Sequence, residues 1–370
     1  MKADNTAITS SKGDYARSLR IKNVYVEMTN ICNFDCNFCP IRSSQRKPGR
    51  IDMALFKKII DEIAATQLTK RIGFHVLGEP MLHPELPAAI AYCSAKGLET
   101  SLATNGSLLS RDKVLALIAS GLDYLGISLE TTDAKEHESR GASLDFPSYY
   151  RQIIEAVTTF KENSQVNVTL SLMNTSTKKF FSVDQDIGVN RKETNLKEKL
   201  ANLIFDLKAA IGLPQSREEI VRELKGVWVN SSRYIKIDDL LKIYVQLFWD
   251  WGNAFTSRKI YPAKIGYCGY AGNRIGILYD GRVTLCCGDY EGGTAIGNVR
   301  ERSLVEIFES ARMRQVMAGF ARNRVLQPYC QRCLGATSRT MALIKGLSTI
   351  LLFKLKGHPL DGAKKKTLSR

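Results

Sequence analysis

The chain has little histidine, no long apolar run and, toward its C-terminus, almost no acid. Its four histidines, His75, His83, His137 and His358, are scattered, and none has zinc-pair or triad spacing, so no histidine-centred metal or nucleophile site is readable. The opening MKADNTAITSSKGDYARSLR is polar and lacks the apolar stretch of a secretion signal, which predicts a cytoplasmic protein whose thiols stay reduced. The most apolar segment near the C-terminus, MALIKGLSTILLFKL at 341 to 355, falls short of the ~20 residues that cross a bilayer. Neither a P-loop nor a GxGxxG turn occurs, which removes two common phosphate cradles.

The scarcity of acid leaves a strongly basic end. After Glu309, thirteen Lys or Arg face one acid, Asp361, so +12 of the formal +16 lies there. Such a patch predicts an anionic partner: nucleic acid, a phosphorylated substrate or an acidic membrane surface. A solvated tail that only aids solubility is the plain alternative. Phe353 is the only aromatic after Tyr329, whereas single-strand binders interleave aromatics with their cations, which speaks against nucleic acid. The apolar run beside Lys364 to Lys366 reads as a peripheral contact with an anionic membrane, or as a segment packed on the body of the protein.

Hydrophobic residues make up 44% of the chain, enough for a sizeable core. Six short β-rich runs, near 23, 71, 98, 122, 166 and 243, alternate with helical stretches, the pattern of parallel strands joined by crossover helices. Six such units are too few for a closed eight-stranded barrel, so the fold class expected is α/β: a partial, open (βα)6 barrel followed by a small α+β domain. Residues 52 to 65 predict a helix with Asp52 as its N-cap. The stretch from about 175 to 241 exceeds any ordinary crossover and reads as an insertion of two helices broken at Pro214, either a lid or padding on the barrel wall. Beyond 256 the sequence turns Gly- and Cys-rich, and NRIGILYDGRVTLCC predicts a hairpin turning on the two residues Asp280-Gly281. The expected organisation is an N-terminal extension (1–20), the barrel (21–255), an auxiliary domain (256–335) and a basic amphipathic tail (336–370).

Nine cysteines are present, and three fall within CNFDCNFC as Cys32-x3-Cys36-x2-Cys39. Three thiolates in one loop, with no fourth Cys or His nearby, suit a 4Fe-4S cluster with one open iron better than structural zinc. The motif resembles the CxxxCxxC signature of the radical S-adenosylmethionine superfamily. That resemblance implies a cluster that binds S-adenosylmethionine and cleaves it to methionine and a 5′-deoxyadenosyl radical. It also implies an aromatic beside adenine at Phe38. LGEP, with Gly78 and Glu79, resembles the family motif whose glutamate takes the cofactor's amino group. Asn105 in TNG and Ser128 in SLE stand where the family puts polar groups on the ribose. Arg140 resembles an arginine that reaches the cofactor carboxylate, and Asn174 ends the fifth strand. All fall at C-terminal strand ends, where βα-barrel chemistry is assembled.

Cys268, Cys286, Cys330 and Cys333 resemble the ligands of a SPASM extension in its shortened, one-cluster twitch form, which implies an auxiliary 4Fe-4S cluster. A structural zinc in the same four cysteines is the competing reading. Cys93 lies in a helical stretch and reads as a small buried residue. Cys287 neighbours a ligand and could pack, substitute as the ligand, or serve as the hydrogen-atom donor that the family's epimerases use.

The resemblance implies an enzyme that abstracts hydrogen from a substrate carbon, fed by an electron donor such as flavodoxin or ferredoxin. With the basic end, it predicts oxidation or epimerisation of a small anionic, sugar-like or phosphorylated metabolite. Peptide modification is the alternative, weakened because only 31 residues precede Cys32. An RNA-binding or RNA-modifying iron-sulfur protein stands behind it.

Overall fold

The computed structural model of the protein describes residues 14–19, 21–176, 187, 189–190, 192–227, 229, 232–355 and 366–367. Its strands are β1 (Asn23–Val26), β2 (Arg71–Gly73), β3 (Glu99–Thr104), β4 (Tyr124–Glu130), β5 (Asn167–Asn174), β6 (Arg233–Lys236), β7 (Leu241–Leu247), β8 (Arg274–Ile277), β9 (Arg282–Thr284), β10 (Gly297–Asn298) and β11 (Lys366–Thr367). The helices are α1 (Asp14–Ser18), α2 (Met53–Thr66), α3 (Leu86–Ala95), α4 (Arg111–Ala119), α5 (Ala134–Glu138), α6 (Phe146–Asn163), α7 (Glu193–Ala210), α8 (Arg217–Lys225), α9 (Leu304–Phe308), α10 (Ala311–Ala321), α11 (Pro328–Cys333) and α12 (Arg339–Thr349).

The six strands read from the sequence are β1 to β5 and β7, all parallel to one another. The sheet order β10-β9-β8-β1-β2-β3-β4-β5-β7-β6-β11 is open, so the barrel is partial. One face of each strand is apolar and sealed: Val24 and Val26, Leu125, Ile127 and Leu129, Val168, Leu170 and Leu172, and Ile243 and Val245 are all buried. The alternate positions, Tyr25, Tyr124, Ser128, Thr169, Ser171 and Tyr244, are only half-buried. A parallel sheet covered on both faces would be apolar on both, so this alternation marks the concave face as a polar lumen. Local signals agree with the elements: Asp52 accepts from the Leu55 amide at 2.8 Å and starts α2, and a Ser216–Glu219 capping box starts α8 beyond the break at Pro214.

Three features depart from the sequence reading. The insertion carries a strand as well as two helices: β6 pairs antiparallel with β7 around a turn held by Asp238, whose Oδ1 accepts from the Leu240 and Leu241 amides. The β8–β9 hairpin also joins the barrel, with β8 running parallel to β1 along four residues. Its loop is longer than two residues, because the Leu278 amide donates to the Arg282 carbonyl and leaves Tyr279, Asp280 and Gly281 between them. Gly281 sits at φ +93°, where a Cβ would meet Asn298 Oδ1 at 2.4 Å. Three-residue hairpins need such a left-handed glycine.

Candidate active site

The Cys32–Cys39 segment leaves the C-terminal end of β1 as a loop pinned at both sides. The Asp35 and Asn37 amides donate to the Arg140 and Ser139 carbonyls, both at 2.9 Å, and the Glu79 amide donates to Ile31 O at 2.8 Å. Gly78 is what allows the second contact. At φ +77° its added Cβ would lie 2.4 Å from Thr29 O and 2.8 Å from Ile31 O, so only glycine brings the LGEP turn against the loop. Cys39 caps the short turn Pro40–Ser43. Phe38 is buried in the core, and Phe34 packs under the Arg140 guanidinium, 4.7 Å from its ring centre.

Glu79 is buried beside this loop and accepts from the Met81 amide at 3.0 Å, Thr104 Oγ1 at 2.8 Å and the Asn105 amide at 2.7 Å. Burial still raises its pKa against these bonds. Asn105 reaches Cys32 Sγ at 3.9 Å and Asn33 Oδ1 at 2.9 Å. Arg140 is buried and donates to the Leu129 and Ser128 carbonyls and to the Tyr149 hydroxyl; that hydroxyl donates onward to Asn105 O at 2.7 Å. Its Nε has no partner, although its charge reaches Cys36. The structure therefore brings together the three loop cysteines, Gly78, Glu79, Asn105, Ser128 and Arg140. Asn174 stands apart: its amide donates to Val229 O and accepts from Ser176, tying β5 to the insertion.

The second thiol set gathers from separate segments. Cys330 and Cys333 lie on α11, Cys286 follows β9, and Cys268 lies in the loop before β8. Cys330 and Cys333 each feel the charges of Cys268 and Cys286. Asn253, at φ +66°, donates to the Arg332, Cys333 and Gly335 carbonyls and fastens the end of α11. Cys287 lies at the edge of this set: its thiol hydrogen-bonds that of Cys286, and its charge is also felt at Tyr25 and Tyr270 on the lumen side.

Both sets fit iron-sulfur clusters. Among the described residues no three His, Cys, Asp or Glu are gathered closely enough to hold a single ion. The donors are thiols throughout, and burial pushes Cys32 to about 11, Cys39 to about 12 and Cys268 to about 11. Such thiols are neutral when empty and release protons on binding metal. The unpartnered Arg140 Nε supplies a cationic donor at the first set.

Residues 26–179 match the model of the radical SAM superfamily, and residues 268–334 match that of the SPASM iron-sulfur cluster-binding domain. The chain therefore carries a radical S-adenosylmethionine domain followed by a SPASM iron-sulfur domain. Among similar radical SAM proteins, the tungsten-containing aldehyde ferredoxin oxidoreductase cofactor-modifying protein of Pyrococcus furiosus is 24% identical over 336 residues, 85% of this chain and 87% of that one. The AdoMet-dependent heme synthase of Methanosarcina barkeri is 29% identical over 168 residues, 44% and 46% of the two chains. SuiB from Streptococcus suis, solved with its precursor peptide, shares the fold with a TM-score of 0.53 at 12% identity, over 84% of this chain and 71% of that one. The cofactors of this radical SAM enzyme are S-adenosylmethionine and 4Fe-4S clusters.

Below these centres the lumen holds groups the sequence reading missed. Arg274 on β8 hydrogen-bonds Tyr25, lies 4.9 Å from the Tyr270 ring centre and is felt at Tyr234 and Tyr244. Those last two rings, on β6 and β7, stack at 4.6 Å, so one end of the open sheet faces the other across the lumen. Glu130, at φ +64° on the C-terminal end of β4, is buried, and burial raises its pKa to about 7. Positive φ at a non-glycine residue is a strained conformation that clusters at functional sites. Asn190 of the insertion donates to Glu130 O and Met173 O and roofs this end.

Proposed function

We propose that this radical SAM enzyme removes hydrogen from a carbon of a small anionic, sugar-like or phosphorylated metabolite and oxidises or epimerises it. The lumen carries this reading: Arg274 on β8 hydrogen-bonds Tyr25 on β1, and the Cys287 thiol lies within electrostatic reach of both. Cys32, Cys36 and Cys39 ligate the first cluster; Cys268, Cys286, Cys330 and Cys333 ligate the auxiliary one. Glu79, Asn105, Ser128 and Arg140 orient S-adenosylmethionine, with Phe38 and Gly78 shaping its pocket and Asn174 holding the rim. When bound, these groups supply a 5′-deoxyadenosyl radical as hydrogen-atom acceptor and a separate one-electron site.

The protein's own side chains then decide the outcome. Arg274 holds the anionic group of the substrate. If the radical carbon bears a hydroxyl, Glu130, poised between its two protonation states near neutral pH, takes the hydroxyl proton as the carbon is oxidised. If Cys287 instead returns a hydrogen atom to the opposite face, the centre inverts and the thiyl radical left behind takes one electron from the external donor and one proton to become a thiol again. The deciding experiment uses anaerobically reconstituted protein with flavodoxin or dithionite as electron source and a deproteinised extract as substrate source. Stimulation of 5′-deoxyadenosine formation by a fraction that binds an anion exchanger, lost in Arg274→Gln while basal cleavage stays, is expected. Stimulation that follows only the peptide fraction would replace this reading with peptide modification. Single deuterium incorporation from D2O that disappears in Cys287→Ser marks epimerisation; a ketone product without deuterium at that carbon marks oxidation.

A further inference from the structure

The α12 helix wears its apolar face outward. Ala342, Gly346 and Thr349 form the inner side and are buried. Gly346 lies so close to the body that an added Cβ would sit 2.1 Å from Ile265 O, and Thr349 Oγ1 accepts from the Tyr267 amide at 3.0 Å. The helix is therefore seated, and its outer side is fixed in place. On that side Met341, Leu343, Ile344, Leu347, Leu351 and Leu352 are between 46% and 53% exposed. With 3.6 residues per turn these positions form one continuous stripe facing away from the protein, carried past Thr349 by the π-helical turn Ile350–Leu355. Ile265, also exposed, extends the patch at its edge. Six large apolar side chains on one exposed helix face are more than the scattered surface leucines of an ordinary domain.

Cations rim the stripe. Lys345 bonds back to the Cys333 and Gly335 carbonyls, and Lys354 to Ala321 O and Asn323 Oδ1. Lys264, Arg322, Arg324 and Arg339 are exposed around it, and residues 310 to 355 contain no Asp or Glu. A second copy docking by a two-fold axis would set this acid-free rim against itself. Among the described residues no helix is long and apolar enough to cross a membrane. We propose that this face is a docking surface for an anionic lipid bilayer: α12 lies in the headgroup region with the stripe inward and its basic rim on the lipid phosphates. Since α12 follows α11 directly, the auxiliary thiol set would sit just above the membrane plane.

Vesicle flotation of the anaerobically loaded holoenzyme tests this, with phosphatidylcholine vesicles against phosphatidylcholine–phosphatidylglycerol vesicles. The expected result is at least about ten-fold stronger binding to the anionic vesicles, weakened by salt. Leu347→Glu with Leu351→Glu should abolish it, and Arg322→Glu with Lys264→Glu should lower it toward the neutral-vesicle level. All four positions are exposed, and unchanged iron content would show that each double variant is folded. Equal binding to both vesicles, or none, would overturn the proposal. So would a lipid-free dimer, seen by light scattering, that the leucine variant converts to monomer, because the stripe would then be an interface between copies.

Discussion

The three thiols of the first loop come from eight consecutive residues, whereas the four of the second set come from segments spread over 268 to 333. The first loop is held by the barrel: Arg140, Ser139 and Glu79 bond its backbone, and Asn105 touches Cys32. The second is held by parts distant in sequence, with Asn253 gripping α11 from the far side of β8. Three donors leave a multi-iron cluster one open position; four close it. With the proposed ligands, the difference would separate a place where a ligand can bind iron from one built to be sealed. It also means that the first set is local information, and the second exists only once the chain has folded.

The sharpest way to break this contrast is to remove the first set. Replacing Cys32, Cys36 and Cys39 with Ala should abolish S-adenosylmethionine cleavage while about half of the iron remains, because four thiols are untouched; iron analysis beside deoxyadenosine assays reads both. Complete iron loss would show that the two sites are not independent. Gly78→Ala should come next. The strain of a left-handed alanine, of order 1–3 kcal/mol, adds to a collision with backbone at Thr29, so cleavage should fall by at least about ten-fold with auxiliary iron kept. Asn253→Ala works in the opposite direction. Leaving three carbonyls without their donor costs about 1–3 kcal/mol, and it should speed iron loss from the auxiliary set while first-cluster cleavage survives.

The smallest effect concerns Glu130, which belongs to neither set. Its pKa is raised from 4.5 to about 7 by burial, so the folded protein holds a proton that the unfolded chain has released across that window. Stability from this group is therefore lost as pH rises toward about 7 and is level above it. Glu130→Gln should raise the melting temperature relative to the parent more at pH 8 than at pH 5. A difference independent of pH would mean that Glu130 ionises normally.

Much of the barrel was legible because parallel strands and crossover helices leave local marks. The Asp52 cap, the break at Pro214 and the six runs all correspond to elements of the structure. The cysteine motif was legible because its spacing is short. What escaped depended on contacts between distant segments. β6 escaped although RYIK and KIYVQL alternate on either side of an Asp-Asp turn, since a four-residue strand carries too little pattern of its own and is fixed by pairing with β7. The pairing of β8 with β1 has no local signature, because both partners are short and lie some 250 residues apart. Arg274, Tyr25 and Glu130 escaped for the same reason: each is an ordinary strand residue until the sheet curls and places it in the lumen. The half-polar alternation of β4 and β5 was the one available hint. The basic triplet Lys364–Lys366 falls mostly outside the described residues, and the outward face of α12 became visible only when the buried side was known.

β1 is the first strand of the barrel, yet its outer edge is closed by residues 274 to 277 from the far end of the chain. A ribosome-bound chain that has just finished the barrel still carries that edge bare, with a row of unanswered amides and carbonyls beside a nearly complete sheet. The C-terminal segment thus acts as a late-arriving edge guard as well as a carrier of thiols. A gene cut between the two halves would yield fragments that recombine or aggregate through β1, and any evolutionary exchange of the auxiliary half must bring along a strand that fits it.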